Sequence, residues 1–282
     1  MYAVSDESYQ SHSVHAYVNT VYEFYHEVGR SPVTFGTLGL KGVVDLDRVI
    51  FESLAETMDT ISHALTKGRI NDTYAMLRKY RDSITAHVYI ILYLKNSFSE
   101  TISNPFHDFK VDFEKSKYIV QKIQDWIERN EKLPRYSDMI TYILNEPFSD
   151  EYWALMNKDY YVDLGKRCND QLHLNFYGSF FQNIPNYIYD RTPLLERLSK
   201  DIEALFIWHL TYLLVFSGNL VMASDHVDYL ECGQTPPEDS QYLVAPFALE
   251  TYDDTIRKKF PKLDKLIQEH TYMYLKQKDN SI

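Results

Sequence analysis

The sequence predicts an all-α protein, a multi-helix bundle, and three observations carry that expectation. Glycine and proline are scarce, 9 and 10 of 282 residues, and few chain breakers favour long helices over many short strands. Apolar residues recur at gaps of three and four through several long windows, the period of a helix with one buried face. No stretch alternates apolar and polar residues as a half-buried strand would. No segment reads as a linker, so residues 1–282 are expected to form a single helical domain.

The elements follow in order. Tyr9 to Val28 reads as a first helix, aromatic on one side, and Gly29 to Gly42 as a loop punctuated by Pro32, Gly36 and Gly39. Asp45 can cap a helix whose stripe is Leu46, Ile50, Leu54, Met58, Ile61 and Leu65, with Gly68 as its stop. Asn71 or Asp72 can cap the next, whose seam is Tyr74, Leu77, Arg81, Ile84, Val88, Ile91 and Lys95. An arginine inside such a seam needs a partner if it is buried. Asn104 to Lys110 reads as a loop, and a third helix is expected from Asp112 to about Asn130. Ser137 can cap a short helix to Leu144, Pro147 should break it, and a helix from Ser149 to about Leu174 should follow, weakened at Gly165. Asn183 to Asp190 is a loop, Leu194 to Ser224 a long helix, Asp225 to Pro246 a loop, and Asp253 to Lys276 a terminal helix kinked at Pro261.

Charge and composition narrow the function classes. A formal net charge of −11 argues against broad, non-specific nucleic-acid binding, although a local basic site for RNA remains open. The 24 tyrosines suit helix interfaces and also surfaces that stack bases. Cys168 and Cys232 form neither a disulfide framework nor a zinc spacing, and no signal peptide opens the chain, so a cytoplasmic location is expected. Leu205 to Ser224 contains no Asp, Glu, Lys or Arg. Its length could cross a bilayer, but His209, Thr211, Ser217, Gly218 and Asn219 dilute it, and a central buried helix is the expectation.

The chemistry concentrates in Gly165 to His173, "GKRCNDQLH". On a helix, Arg167, Asp170 and His173 step by three and make one ridge, and Asn169 lies a turn before His173. Such a ridge can set an imidazole beside a carboxylate and an amide, with a guanidinium for a phosphate. Cleavage of RNA by its own 2′-hydroxyl needs a base, an acid and a cation, and no metal. The same four residues could instead satisfy one another as a buried network that fixes helix register.

The pattern Arg167, five residues, His173 resembles the signature of HEPN domains, helical bundles that carry an Arg and a His on a late helix. The resemblance spans roughly residues 43–225, with helical additions at both ends. It implies a metal-independent endoribonuclease of a bacterial defence or toxin system, working as a homodimer without a cofactor. His173 would be general base or acid, Arg167 would hold the phosphate, and Asn169 and Asp170 would orient the imidazole. Family members often carry a polar residue directly after the Arg, where this chain has Cys168 and then Asn169. A second match, Arg81, Asp82 and His87, lies on an earlier helix. There Arg78 and Arg81 are read as partners of the ridge, Asp82 as the acid paired with Arg78, and His87 as a packing residue.

Two further functions stay open. A non-catalytic helical adaptor would use the ridge as structure and bind a partner protein. A membrane-attached sensor would need Leu205 to Ser224 in the bilayer. Asp225, His226, Asp228, Glu231 and Cys232 are legal metal ligands in one polar stretch, but no second ligand cluster supports them, and no metal is expected. Residues 233–242 are turn-rich and acidic, and Arg257, Lys258, Lys259, Lys262 and Lys265 make a basic helix face.

Overall fold

A computed structural model describes residues 4, 7–31, 46–99, 102–103, 110–111, 113–185 and 190–275. The chain is an all-α multi-helix bundle. A two-residue antiparallel ladder pairs Ile102 with Val111. The loop expected after Gly29 and the cap at Asp45 fall largely outside the described residues, as do most of Asn104 to Lys110, Asp112 and Lys276.

The first helical segment is divided. A short α1, Glu7–Gln10, turns at Ser11 into α2, Ser13–Arg30, because the His12 ring accepts from the Val14 N–H and caps a new helix. Helix α3, Leu46–Thr66, ends where expected. Gly68 has φ 69° and passes the chain into α4, Ile70–Ser99. Asn71 and Asp72 lie inside the first turn of α4 rather than capping it, since both are engaged across the fold by residues 171 and 183.

Later elements correct several boundaries. Helix α5 is Phe113–Ile127 and α6 is Tyr136–Leu144. Pro147 opens α7, Pro147–Leu155, at a position where its missing N–H costs nothing. The single helix expected from Ser149 is two, because Asn157 caps α8, Lys158–Leu172, by accepting from the Tyr160 N–H at 2.9 Å. A short α9, Gly178–Phe181, precedes α10, Thr192–Phe216, and a 3-10 turn at Gly218–Val221 follows it. Residues expected as loop form α11, Asp225–Glu231. The terminal helix is α12, Pro246–Tyr252, then a π turn at Asp253–Arg257, then α13, Pro261–His270, which starts at the proline.

Helix α4 is the hub, packed on α3, α6, α8 and α10. Every residue of α10 from Leu205 to Val215 is buried, including His209 and Thr211. This explains the uncharged stretch: the helix is apolar all round because protein surrounds it all round. Among the described residues, no helix is long and apolar enough to cross a membrane. One cluster of buried side chains runs from Tyr9 to Leu275.

Candidate functional site

Helix α8 carries the polar motif and lies against α4, which carries the second one. Gly165 allows the close approach: a Cβ there would stand 2.5 Å from Arg81 Nη1. Arg81 is buried, lies over the Tyr136 ring at 4.5 Å, and donates from Nε and Nη2 to Asp82 Oδ1 at 3.1 and 2.9 Å. This supplies the partner that an arginine in the seam required. Gly165→Ala is therefore expected to destabilise by about 1–2 kcal/mol in urea melts. That expected sign is opposite to the gain of roughly 1 kcal/mol that helix propensity alone predicts for Ala over Gly. Cys168 is buried on the same helix, and burial pushes its thiol up to about 12, so it is protonated and unreactive at neutral pH.

Arg167 does not face solvent with a free guanidinium. Its Nη2 and Nε donate to the two oxygens of Asp201 at 2.5 and 3.2 Å, and it lies 5.0 Å from the Tyr160 ring centroid. Asp201, on α10, is fully buried, and the Tyr74 and Tyr160 hydroxyls donate to it at 3.0 and 2.7 Å. Four donors thus converge on one carboxylate and tie α4, α8 and α10 together. Burial works against the Arg167 charge, and the bonds and charge of Asp201 more than offset it, so its pKa is raised.

His173 lies on the other side of this junction. It is the C-cap of α8, with φ −90° and ψ 2°, and is exposed. Its Nε2 is 3.3 Å from Arg78 Nη1, and Arg78 Nε is 3.8 Å from Asp82 Oδ2. The guanidinium can only donate, so the Nε2 lone pair accepts and Nδ1 carries the proton. Arg78, Asp82 and His173 are therefore brought together across α4 and α8, as the sequence led one to expect of Arg78 and Asp82. The imidazole's partner is Arg78, in place of Asn169 or Asp170. Asp170 Oδ1 instead accepts from Asn175 at 2.7 Å, and Asn169 accepts the His173 N–H through its backbone carbonyl at 2.9 Å. The Asn169 side-chain oxygen is buried without a partner. An open surface groove of about 450 Å³ lies here, lined by Ala75, Arg78, Lys79, Asp82 and Leu172 among others.

Beyond His173 the chain does something the motif did not announce. Leu174 takes φ 51°, an unfavourable value for a leucine, and the next ten residues form a ledge of turns around α9. Tyr177 is 77% exposed, Phe176 62% and Phe180 50%. The ledge is pinned. Buried Arg191 donates to the carbonyls of Gly68, Gln182 and Ile184 at 2.6, 3.0 and 2.7 Å. Asn183 exchanges two bonds with Asp72, and Asn71 donates to the Gln171 carbonyl and side chain. The signal was present in the run "LNFYGSFFQNI", whose rings have no helical or strand period.

A second polar network, also unannounced, runs through the core. His87 Nε2 meets Asp47 at 3.0 Å, His87 Nδ1 meets His209 Nε2 at 2.9 Å, His209 Nδ1 meets the Tyr25 hydroxyl at 2.8 Å, and Tyr25 meets Tyr80 at 2.7 Å. The Asp47 carboxylate can only accept, so His87 donates to it. With both rings neutral, His209 then donates to His87, Tyr25 to His209 and Tyr80 to Tyr25. Burial holds the His209 pKa well below its ordinary 6.5, and a charge on His87 would lower it further.

The remaining polar signals form local pairs. Arg257 bonds Asp253, Asp264 and the Leu275 carbonyl, and Lys258, Lys259 and Lys265 pair with Asp254, Glu203 and Glu269. His226 bonds Ser240 Oγ at 2.6 Å. Among the described residues the ligand atoms of residues 225–232 do not gather, and the one gathered set is Glu23, His26 and Glu27 on α2. Comparison of the chain with family models, with curated proteins and with solved structures found no match.

Proposed function

We propose that the chain is a non-catalytic helical adaptor that binds a partner protein, with the arginine ridge serving the fold. One observation carries the reading: Arg167, the residue that would hold a phosphate, is spent on the fully buried carboxylate of Asp201. Releasing it would strand a charge in the core. A short way downstream the fold holds aromatic rings out in solvent, as binding surfaces do.

A second reading is favoured by a different contact. Arg78 and His173 meet at the surface beside a groove, a cation and an imidazole within reach of a bound phosphate. It is the metal-independent endoribonuclease of a defence or toxin system that the HEPN resemblance implies, with a homodimer completing the site. Purified protein incubated with RNA in EDTA separates the two. The adaptor reading expects no cleavage. Cleavage lost in His173→Ala and Arg78→Ala, with circular dichroism unchanged, would replace it with the nuclease.

A further inference from the structure

We propose that the ledge at residues 172–184 is the docking site for an amphipathic helix of the partner protein, which seats large apolar side chains in the groove beside Gly178. This rests on the adaptor reading and names its surface and its ligand class.

Four observations lead to it. Leu172, Leu174, Phe176, Tyr177, Phe180 and Ile184 are all exposed within thirteen residues, a density that scattered surface apolar residues do not reach. The segment's backbone is held near both ends, at Gln171 by Asn71 and at Gln182 and Ile184 by Arg191, and the Asn183 side chain is tied to Asp72. A surface held in its binding shape forfeits little entropy on association. Beside it lies an open groove of about 600 Å³, lined by Gln171, Phe176, Gly178, Ser179 and Leu194 among others, and a Cβ on Gly178 would meet nothing within 4 Å.

The backbone dictates what kind of segment fits. The ledge uses its own amides internally: Ser179, Phe180, Gln182 and Ile184 donate to the carbonyls of residues 176, 177, 179 and 181. It has no strand edge to offer, so an extended peptide would find no ladder there. The partner must arrive with its own backbone satisfied, which a helix does.

Charge argues against the other occupants. Around the ledge and its flanking helix ends, Lys67, Arg69, Arg78, Lys79 and the buried Arg191 stand against Asp72, Asp82, Asp170 and Asp190. This near-balance, with Arg191 turned inward onto carbonyls, makes no cationic track, and single-stranded nucleic acid needs both such a track and rings. The aliphatic members of the ledge, Leu172, Leu174 and Ile184, add nothing to base stacking but do suit a protein contact. A second copy of the chain would bring its own net charge of −11.

The test is selection from a phage-displayed library of helical peptides with one randomised face, followed by affinity measurements on purified protein. Selected helices should carry Leu, Phe, Trp or Met at helical spacing and bind with little change between about 50 and 300 mM NaCl. They should lose about tenfold or more in affinity for Phe176→Ser/Phe180→Ser and for Gly178→Trp. Gly178→Trp fills the groove without touching the core and should keep the wild-type melting temperature. Helices that bind both variants as well as wild type would overturn the ledge and leave the adaptor reading standing. No selected helix at all would overturn the helix as ligand, whereas the adaptor reading falls only to RNA cleavage lost in His173→Ala and Arg78→Ala. A labelled single-stranded RNA that binds wild type, fails on the variants and weakens steeply with salt would overturn the helix as ligand. So would a concentration-dependent dimer abolished by Gly178→Trp.

Discussion

Arg167→Ala is expected to lower the unfolding free energy by about 3–5 kcal/mol, the range for removing one partner of a buried ion pair. The cause is the carboxylate left behind. Asp201 would keep the Tyr74 and Tyr160 hydroxyls and lose Arg167, the cation paired with it among the described residues, in a site closed to solvent. Urea denaturation followed by circular dichroism measures the loss. The double replacement Arg167→Met/Asp201→Leu should recover much of it, because apolar substitutes for a whole buried pair are often neutral. The recovery falls short by whatever the two tyrosine hydroxyls lose, about 1 kcal/mol each. If Arg167→Ala stays within about 0.5 kcal/mol of wild type, the bond to Asp201 is not what holds α8 on α10.

His209→Ala should cost a similar amount, roughly 3–5 kcal/mol, by another route. It opens a cavity beside the enclosed stretch of α10, and it leaves the Tyr25 O–H without its acceptor and the His87 Nδ1 without its donor, although Tyr80 still bonds the Tyr25 oxygen. The same histidine gives stability a pH dependence. Its folded pKa lies well below the ordinary 6.5, with burial as the first cause and a charge on His87 as the second. As the pH falls below 6.5, the unfolded chain takes up a proton that the folded chain refuses. Stability is thus fully present above that point and lost below it, by at most about 1.4 kcal/mol per pH unit for one group. The groups facing the ring are His87 and Tyr25, with Asp47 and Tyr80 beyond them. His15, also lowered by burial, adds to the wild-type slope. The comparison is therefore with His209→Gln, whose stability should vary less with pH between about 7 and 5 by one proton's worth. Equal slopes would mean that the buried ring is protonated in the folded state at no cost.

Much of the bundle was legible because helices state their period locally. The stripe from Leu46 to Leu65 and the stop at Gly68 could be read from spacing and one glycine, and the structure has both. The break at Met156 and Asn157 could not, since a capping asparagine looks like any polar residue until its neighbour's N–H turns to it. That Arg81, an arginine in an apolar seam, would need a partner if buried was legible from chemistry alone, and the structure gives it Asp82 and the Tyr136 ring. Which acid would take Arg167 was not, because Asp201 lies 34 positions away on a helix whose face the sequence does not disclose. The histidine chain was hidden for the same reason. His87 and His209 are 122 residues apart and only the packing of α4 on α10 makes them neighbours.

The enclosure of α10 has a consequence for the protein's motions. A helix with a wet side frays there, and its amide protons leak to solvent through small local openings. Between Leu205 and Val215 there is no such side. Those amides can trade their hydrogen for deuterium only when the surrounding helices separate, so their lifetime reports the opening of the whole bundle. The ledge is the reverse case. Its hydrogen bonds are single turns at the surface, and its protons would escape while α10 stays sealed, so one experiment would time both the ledge and the interior behind it.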